Sequence, residues 1–205
     1  KRMEKILDIV RAENPDIFIS TGDLVDAQIN HLPGLVELLR EVDARYGKFA
    51  ITGNHEYYAG LDKALAFTRD CGFTVLRGTA VSSGVINIAG VNDPAGVQLK
   101  LEKPVSEKTL LSKLPRGKFT LLLKHQPRLD RDALGLFDLQ LSGHTHKGQI
   151  WPFTCLSALT YPLSAGRFDL ANGSVLYVSR GTGTWGPPVR FLSPPEVTVI
   201  ELVRK

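Results

Sequence analysis

Four mainly apolar runs in this 205-residue chain each lead, within two residues, to glycine or to residue types that commonly bind metals. The runs are Ile17–Thr21, Phe49–Thr52, Thr120–Leu123 and Leu139–Leu141. The polar groups that follow these runs are Gly22-Asp23, Gly53-Asn54-His55-Glu56, His125 and Gly143-His144-Thr145-His146. Each run is short and apolar, so it predicts a buried β-strand. In open α/β sheets, ligand sites gather at the carboxyl ends of the strands. The pattern therefore predicts that all four polar groups meet at one sheet edge.

Helical patterns separate the strand-like runs in the first half of the chain, which indicates an α/β fold class. An opening helix is expected to end near Ala12, and further helices are expected over residues 35–46 and 60–70. The second half is richer in strands. The strands expected in addition to the four apolar runs are Phe73–Leu76, Val85–Val91, Val175–Ser179 and, from clean alternation of apolar residues, Val197–Val203.

Composition is ordinary for a soluble globular domain, with 43% apolar and 22% charged residues. The formal net charge is +4, but Lys and Arg are spread along the chain, which argues against a nucleic-acid partner. The two cysteines provide no disulfide framework. No apolar run approaches the ~20 residues that span a bilayer, and no signal-peptide pattern opens the chain. The sequence as given is expected to be soluble.

The polar groups offer a mixed set of nitrogen and oxygen donors. Imidazole, carboxylate and amide groups together suit divalent metals such as Mn, Fe, Zn or Co, without selecting one of them. Asp23 is a candidate bridging ligand, because a carboxylate has two oxygens and the adjacent Gly22 permits close backbone approach. Two metals ~3.5–4 Å apart could clamp a phosphate and lower the pKa of a water between them.

These motifs, in this order, resemble the calcineurin-like metallophosphoesterase family over nearly the whole chain. The ending from Ser179-Arg180-Gly181 to Pro194-Pro195-Glu196 is similar to the YkuE-like branch, whose members often carry an N-terminal membrane anchor or export signal. The resemblance implies a four-layer α/β/β/α sandwich of the metallo-dependent phosphatase type, with residues 1–205 forming one domain. It also implies hydrolysis of phosphomonoesters or phosphodiesters by hydroxide bound at a dinuclear metal site.

The same resemblance implies metal ligands residue by residue. Asp23 would bridge two divalent metal ions, with Mn, Fe and Zn all compatible. Asn54, His125 and His144 would complete one metal site, and His146 would belong to the other.

Other residues near these motifs receive different interpretations. The resemblance implies that His55 binds no metal and acts as general acid for the leaving group or as an electrostatic stabiliser. Glu56 would orient His55. Asp26 is interpreted as a helix or loop cap, and His31 is expected to face solvent. Lys147 stands where the branch commonly has glycine, and it either contacts a substrate phosphate or points to solvent.

One family motif has no counterpart in this chain. It is an Asp-x-His at the end of the first strand, and without it the second metal site retains only Asp23 and His146. The preferred interpretation is an N-terminally truncated domain, in which a missing strand leaves an unpaired sheet edge. The alternative is a natural mononuclear variant.

Two further functions stay open from the sequence: a nuclease of the same fold, and a catalytically impaired metal-binding module with one metal or none. The expected substrate is a small phosphate ester, with lipid-linked phosphates, sugar nucleotides and cell-wall phosphodiesters all compatible. Membrane association at the cell envelope would come only through a missing N-terminal segment.

The Gly- and Pro-rich loop over residues 181–188 either forms a substrate-side rim, with Trp185 and Arg190, or is a packing turn. No substrate-binding residue is assigned.

Overall fold

The architecture is built on two β-sheets that lie face to face, with helices on their outer faces. The computed structural model describes residues 2–26 and 34–203. The helices are α1 (Arg2–Ala12), α2 (Leu35–Arg40), α3 (Asn54–Tyr58), α4 (Leu61–Asp70), α5 (Pro94–Gln98), α6 (Glu107–Leu111) and α7 (Phe153–Thr160). The strands are β1 (Phe18–Ser20), β2 (Lys48–Ala50), β3 (Thr74–Val75), β4 (Thr79–Ser82), β5 (Ile86–Gly90), β6 (Phe119–Leu123), β7 (Leu139–Ser142), β8 (Gly166–Asp169) and β9 (Val175–Val178).

The first sheet is parallel and has the strand order β1-β2-β3, with Phe18 opposite Lys48 and Ser20 opposite Ala50. The second sheet has the order β4-β5-β6-β7-β9-β8. Its central strands β5, β6, β7 and β9 are parallel, while β4 and β8 pair antiparallel at the two edges. Parallel neighbours end on the same side, so the loops after β6 and β7 emerge together, as do those after β1 and β2.

Apolar side chains fill the space between the two sheets. Phe49 and Ile51 from the first sheet pack in one cluster with Ile88, Leu121 and Leu123 from the second, and none of the five is more than 6% exposed. Successive strand residues face opposite sides of a sheet, so a strand that is covered on both faces is expected to be apolar at most positions. This expectation explains why the strands appear in the sequence as mainly apolar runs, although a few buried polar residues such as Gln140 of β7 interrupt them.

Helices cover the outer faces of both sheets. Leu122 of β6 packs on the outer face of the second sheet with Leu111 of α6 and Phe137. Ala50 of β2 packs on the outer face of the first sheet with Leu7 of α1 and Leu39 of α2. The layers follow in the order helix, sheet, sheet, helix, so the predicted α/β/β/α fold class is confirmed.

Residues 197–203 form no strand, although the alternation of their apolar residues predicts one. Val197 packs against the core, but Val199 is 61% exposed and Val203 is 74% exposed, so most of the predicted apolar face is not buried. A strand requires a neighbour for its backbone groups as well as an apolar face. Among the described residues no strand pairs with this segment, and the prediction of a strand over Val197–Val203 is wrong.

The helices also differ in part from the sequence prediction. The helix expected over residues 60–70 is present as α4, whereas the one expected over residues 35–46 ends at Arg40. Helix α7 and strand β8 are not predicted from the sequence, because both segments are too short to show a clear period. None of the helices within residues 2–26 and 34–203 is long and apolar enough to cross a membrane.

Candidate metal centre

Two loops at the end of the first sheet touch at their backbones. A Cβ atom on Gly22 would lie 2.5 Å from the backbone nitrogen of Gly53, and one on Gly53 would lie 2.2 Å from Oδ1 of Asp23. Gly22 also has a φ of 93°, in the left-handed region that glycine tolerates best. Glycine at these two positions therefore brings the Asp23 carboxylate against the loop that follows β2.

Three of the five predicted metal ligands come together at this edge. One ligand atom each from Asp23, His125 and His144 lies within 4.8 Å of the other two. Nε2 of His125 is 3.0 Å from Oδ2 of Asp23 and 3.1 Å from Nδ1 of His144. Asp23 and His144 adopt φ values of 54° and 69°, which are unfavourable for residues with a Cβ atom. Strained backbone of this kind concentrates at functional sites.

The hydrogen bonds around His125 leave one of its nitrogens facing the cluster. Nδ1 of His125 lies 2.7 Å from the carbonyl oxygen of Thr21, which can only accept, so this nitrogen carries a proton. Burial alone would lower the pKa of His125, but the hydrogen bond and charge of Asp23 raise it to about 9. A second proton on His125 is thus held between its Nε2 and the carboxylate. A metal ion at this position would replace that proton.

Two further observations fit a divalent metal. Burial, followed by the charge of His125, lowers the pKa of His144 to about 4, so this imidazole is neutral near pH 7 and can act as a ligand. Oδ1 of Asn54 is buried and has no hydrogen-bond partner within the described part of the chain. Buried polar atoms are nearly always paired, and an amide oxygen is a suitable metal ligand. Asp23, Asn54, His125 and His144 therefore form a donor set that could hold one metal.

His146 lies outside this cluster. Its Nδ1 is 2.8 Å from Nη2 of Arg190, and a guanidinium group only donates, so Nδ1 is the acceptor. Burial, followed by the charge of Arg190, lowers the pKa of His146 to about 4. The described residues thus bring no ligand set together around His146, whose Nδ1 is bonded to the Arg190 guanidinium.

His55 is oriented by a residue other than the one predicted. Its Nδ1 lies 3.0 Å from Oδ1 of Asp26, and its backbone N–H donates to Oδ1 of Asp23 over 2.9 Å. The Glu56 carboxylate instead accepts four backbone N–H groups, from Asp23 and the two residues after it and from Gly53. The expectation that Glu56 orients His55 is wrong, because its oxygens are already used by the two loops. Asp26, which was interpreted as a cap, has that role.

Several contacts of the site were not evident from the sequence. The hydroxyl of Tyr161 lies 3.1 Å from Nε2 of His144, although nothing in the sequence near Tyr161 suggests a functional motif. The loop over residues 181–188 is held to Gln149, whose side chain bonds the backbone of Trp185 and Pro187. Lys147 is exposed.

His31 falls in residues 27–33, outside the described residues, so its expected exposure stays a prediction.

Comparison with known proteins shows which family this chain resembles. A family model described as calcineurin-like phosphoesterase matches residues 1–148. An uncharacterized metallophosphoesterase of Aquifex aeolicus is 42% identical over 207 aligned positions, which cover 100% of this chain and 79% of that protein. The metallophosphoesterase YkuE of Bacillus subtilis is 34% identical, with 98% of this chain and 72% of that protein covered.

A third relative is a transmembrane protein with a metallophosphoesterase domain from Danio rerio. It is 32% identical, and the match covers 98% of this chain and 49% of that protein. The chain spans about half the length of this relative and of several others that it matches.

Proposed function

Since this chain belongs to the calcineurin-like phosphoesterase family and is a metal-dependent hydrolase of phosphate esters, we propose that Asp23, Asn54, His125 and His144 hold its catalytic metal. The observation that carries the proposal is the meeting of three ligand atoms within 4.8 Å at the end of the strands. The unpartnered buried Oδ1 of Asn54 supports a fourth ligand. When bound, the metal supplies Lewis acidity towards phosphoryl and water oxygens.

His55 is the proposed proton donor to the leaving group. The Asp26 carboxylate can only accept, so Nδ1 of His55 carries the proton of their 3.0 Å hydrogen bond. In the protonated imidazolium a second proton lies on Nε2, and this is the proton that His55 would give to a departing alkoxide, leaving a neutral imidazole. The bond from the His55 backbone N–H to Asp23 ties this imidazole to a metal ligand, which fixes its position relative to the site.

A dinuclear centre is the finer form of the proposal. Of the predicted ligands, Asp23 and His146 are available to a second metal, and Nη2 of Arg190 lies 2.8 Å from Nδ1 of His146. The described residues by themselves supply a complete ligand set for one metal. A second metal therefore requires further ligands and displacement of the Arg190 guanidinium from His146.

We propose a small phosphate ester as the substrate, either a monoester or a diester, and no nucleic-acid partner, because the basic residues are not clustered in the sequence. Membrane association of a longer parent protein is a further proposal, which the name of the Danio rerio relative supports.

The second candidate function is a catalytically impaired metal-binding module. It is favoured by the contact of Arg190 with His146, which leaves one complete ligand set.

Elemental analysis of metal per chain, on protein purified with Mn supplied, tests the ligand set first. One metal that is lost on replacing His144 with Ala supports the mononuclear form, and the dinuclear proposal is then withdrawn. Two metals show that further ligands reach His146. Absence of bound metal from both the wild type and the His144→Ala variant would contradict the proposed site.

Hydrolysis of a nitrophenyl phosphodiester with added Mn then separates an enzyme from a binding module. We expect His55→Ala to lower turnover by about 10²-fold or more, the usual contribution of general acid catalysis, with unchanged metal content. Loss of metal in this variant would show that His55 is a ligand. Nicking of plasmid DNA without hydrolysis of the small diester would favour the nuclease.

A further inference from the structure

His144 is connected to a chain of three buried or half-buried side chains on the side away from the proposed metal. Nε2 of His144 lies 3.1 Å from the hydroxyl of Tyr161, and that hydroxyl lies 3.1 Å from Oε1 of Gln126. Nε2 of Gln126 lies 2.9 Å from Oδ2 and 3.2 Å from Oδ1 of Asp93. Asp93 is 1% exposed and Gln126 is 8% exposed, so water has little access to the bonds between these two side chains.

The direction of every hydrogen bond in this chain follows from Asp93. Both oxygens of Asp93 accept from the NH₂ group of Gln126, so this amide presents its Oε1 to Tyr161. The backbone N–H of Ala95 donates to Oδ1 of Asp93 over 2.9 Å and keeps the carboxylate in place at the start of α5. The orientation of the Gln126 amide is therefore determined at the buried end of the chain.

The hydroxyl of Tyr161 determines which nitrogen of His144 carries the proton. A tyrosine hydroxyl has one proton, and Tyr161 donates it to Oε1 of Gln126. The oxygen of Tyr161 can then only accept from His144, so the proton of the neutral imidazole lies on Nε2. Nδ1 of His144 is left with its lone pair towards Nε2 of His125, at 3.1 Å. This is the nitrogen that a metal in the proposed site would use.

We propose that Asp93, Gln126 and Tyr161 are positioning residues that fix the Nε2–H tautomer of His144 and so keep Nδ1 free for the metal. The metal-binding half of this inference rests on the proposed function, whereas the tautomer half does not. Partners of this kind, which bond the non-ligating nitrogen of a histidine, typically change metal affinity by about 10–100-fold when they are removed.

The sharpest test is Asp93→Asn, which keeps the shape of the side chain and reverses the chain of bonds. If the new amide keeps its oxygen on Ala95, its NH₂ faces Gln126, whose amide must turn over. Tyr161 then accepts from Gln126 and donates to Nε2 of His144, which moves the imidazole proton to Nδ1 and requires the Nε2 proton of His125 to point to Asp23 alone. We expect nitrogen NMR of the metal-free protein at neutral pH to show Nε2–H for His144 in the wild type and Nδ1–H in the variant.

Mn affinity, measured by isothermal titration calorimetry, gives the second readout. We expect Asp93→Asn and Tyr161→Phe each to weaken Mn binding about tenfold or more. The matched control is Asp138→Asn, whose carboxylate accepts a 2.6 Å bond from the backbone N–H of Thr120 at the opposite end of β7. This control is expected to leave both Mn affinity and the His144 tautomer unchanged.

A wild-type His144 with its proton on Nδ1, or the same tautomer in wild type and Asp93→Asn, would overturn the inference. If Asp93→Asn does not fold, the NMR spectrum of Tyr161→Phe tests the inference instead. This variant removes the hydroxyl oxygen that accepts from His144, so it is expected to give a mixture of His144 tautomers. If the wild type binds no Mn, the proposed metal site fails, and the NMR comparison still decides whether the chain of bonds fixes the tautomer.

Discussion

Glu56 holds together the two loops that carry Asp23 and Asn54. Its Oε1 accepts from the backbone N–H groups of Leu24 and Val25, and its Oε2 accepts from those of Asp23 and Gly53, over 2.7 to 3.3 Å. The side chain is 2% exposed, so water cannot replace these bonds. Hydrogen bonds to a charged group contribute about 1.5–3 kcal/mol each. Glu56 is therefore a structural support of the site.

Replacing Glu56 with Gln should destabilise the protein without changing the size of the side chain. One oxygen becomes an NH₂ group that faces two N–H donors, so at least two bonds are lost. We expect the free energy of unfolding to fall by about 3 kcal/mol, measured by urea denaturation. Glu13→Gln, at an exposed position after α1, is the matched control. Equal urea midpoints for the two variants would contradict this role of Glu56.

The protonation of His125 predicts how metal binding depends on pH. Its Nε2 must lose a proton before it can bind a metal, and its pKa in the metal-free protein is raised to about 9. Mn affinity should therefore rise as pH increases towards 9, by about tenfold per pH unit, and level off above that value. Calorimetric titrations between pH 6.5 and 9.5 would measure this slope. A flat profile would show that His125 is already neutral or is not a ligand.

At the scale of elements, the site depends on how closely the loops after β1 and β2 approach each other. Gly53 has a φ of −96°, so another residue could adopt its backbone conformation. The obstacle is space, since its added Cβ would lie 2.2 Å from Oδ1 of Asp23 and 2.7 Å from Cε1 of His125. Side chains that are too large for a packed site force shifts that cost about 1–3 kcal/mol. Any such shift would separate two proposed ligands.

Gly53→Ala should therefore impair metal binding more than it impairs folding. We expect at least a tenfold loss of Mn affinity and a loss of about 1–3 kcal/mol in unfolding free energy. Gly183→Ala is the control, because nothing lies within 4 Å of its added Cβ. Calorimetry and denaturation of both variants give the comparison. Wild-type Mn affinity in Gly53→Ala would show that the two loops can separate without consequence for the site.

At the scale of the whole molecule, the proposed metal joins the two sheets. Asp23 follows β1 of the first sheet, whereas His125 and His144 follow β6 and β7 of the second. Without a metal, two hydrogen bonds of His125 join the loops of the two sheets, one from Nδ1 to the carbonyl oxygen of Thr21 and one from Nε2 to the Asp23 carboxylate. A ligand that binds only the folded state stabilises it by mass action, by about 2.7 kcal/mol at a concentration of 100 Kd.

Mn should thus stabilise the complete fold and not the loops alone. We expect a single thermal transition that moves to higher temperature as Mn is added. The shift should persist in His55→Ala and disappear in His144→Ala. A shift of equal size in all three proteins would mean that Mn binds elsewhere.

Local patterns in the sequence were sufficient for the strands and for the residues at their ends. The runs that lead to Asp23, Asn54, His125 and His144 are mainly apolar because both sides of each sheet are covered, and this property is visible residue by residue. The tendency of sites to lie at carboxyl ends of parallel strands then predicted where three of these residues would meet.

Only the tertiary structure decided which side chains support the ligands. Asp26 and His55 are separated by 29 residues in sequence, Gln126 and Asp93 by 33, and His146 and Arg190 by 44. No periodicity links residues so far apart, because their contact depends on how the two sheets and their loops pack. The segment over residues 197–203 shows the same limit, since alternation indicates a face that could be buried but not the neighbour required to pair with it. Sequence determined the donors, and packing determined their partners.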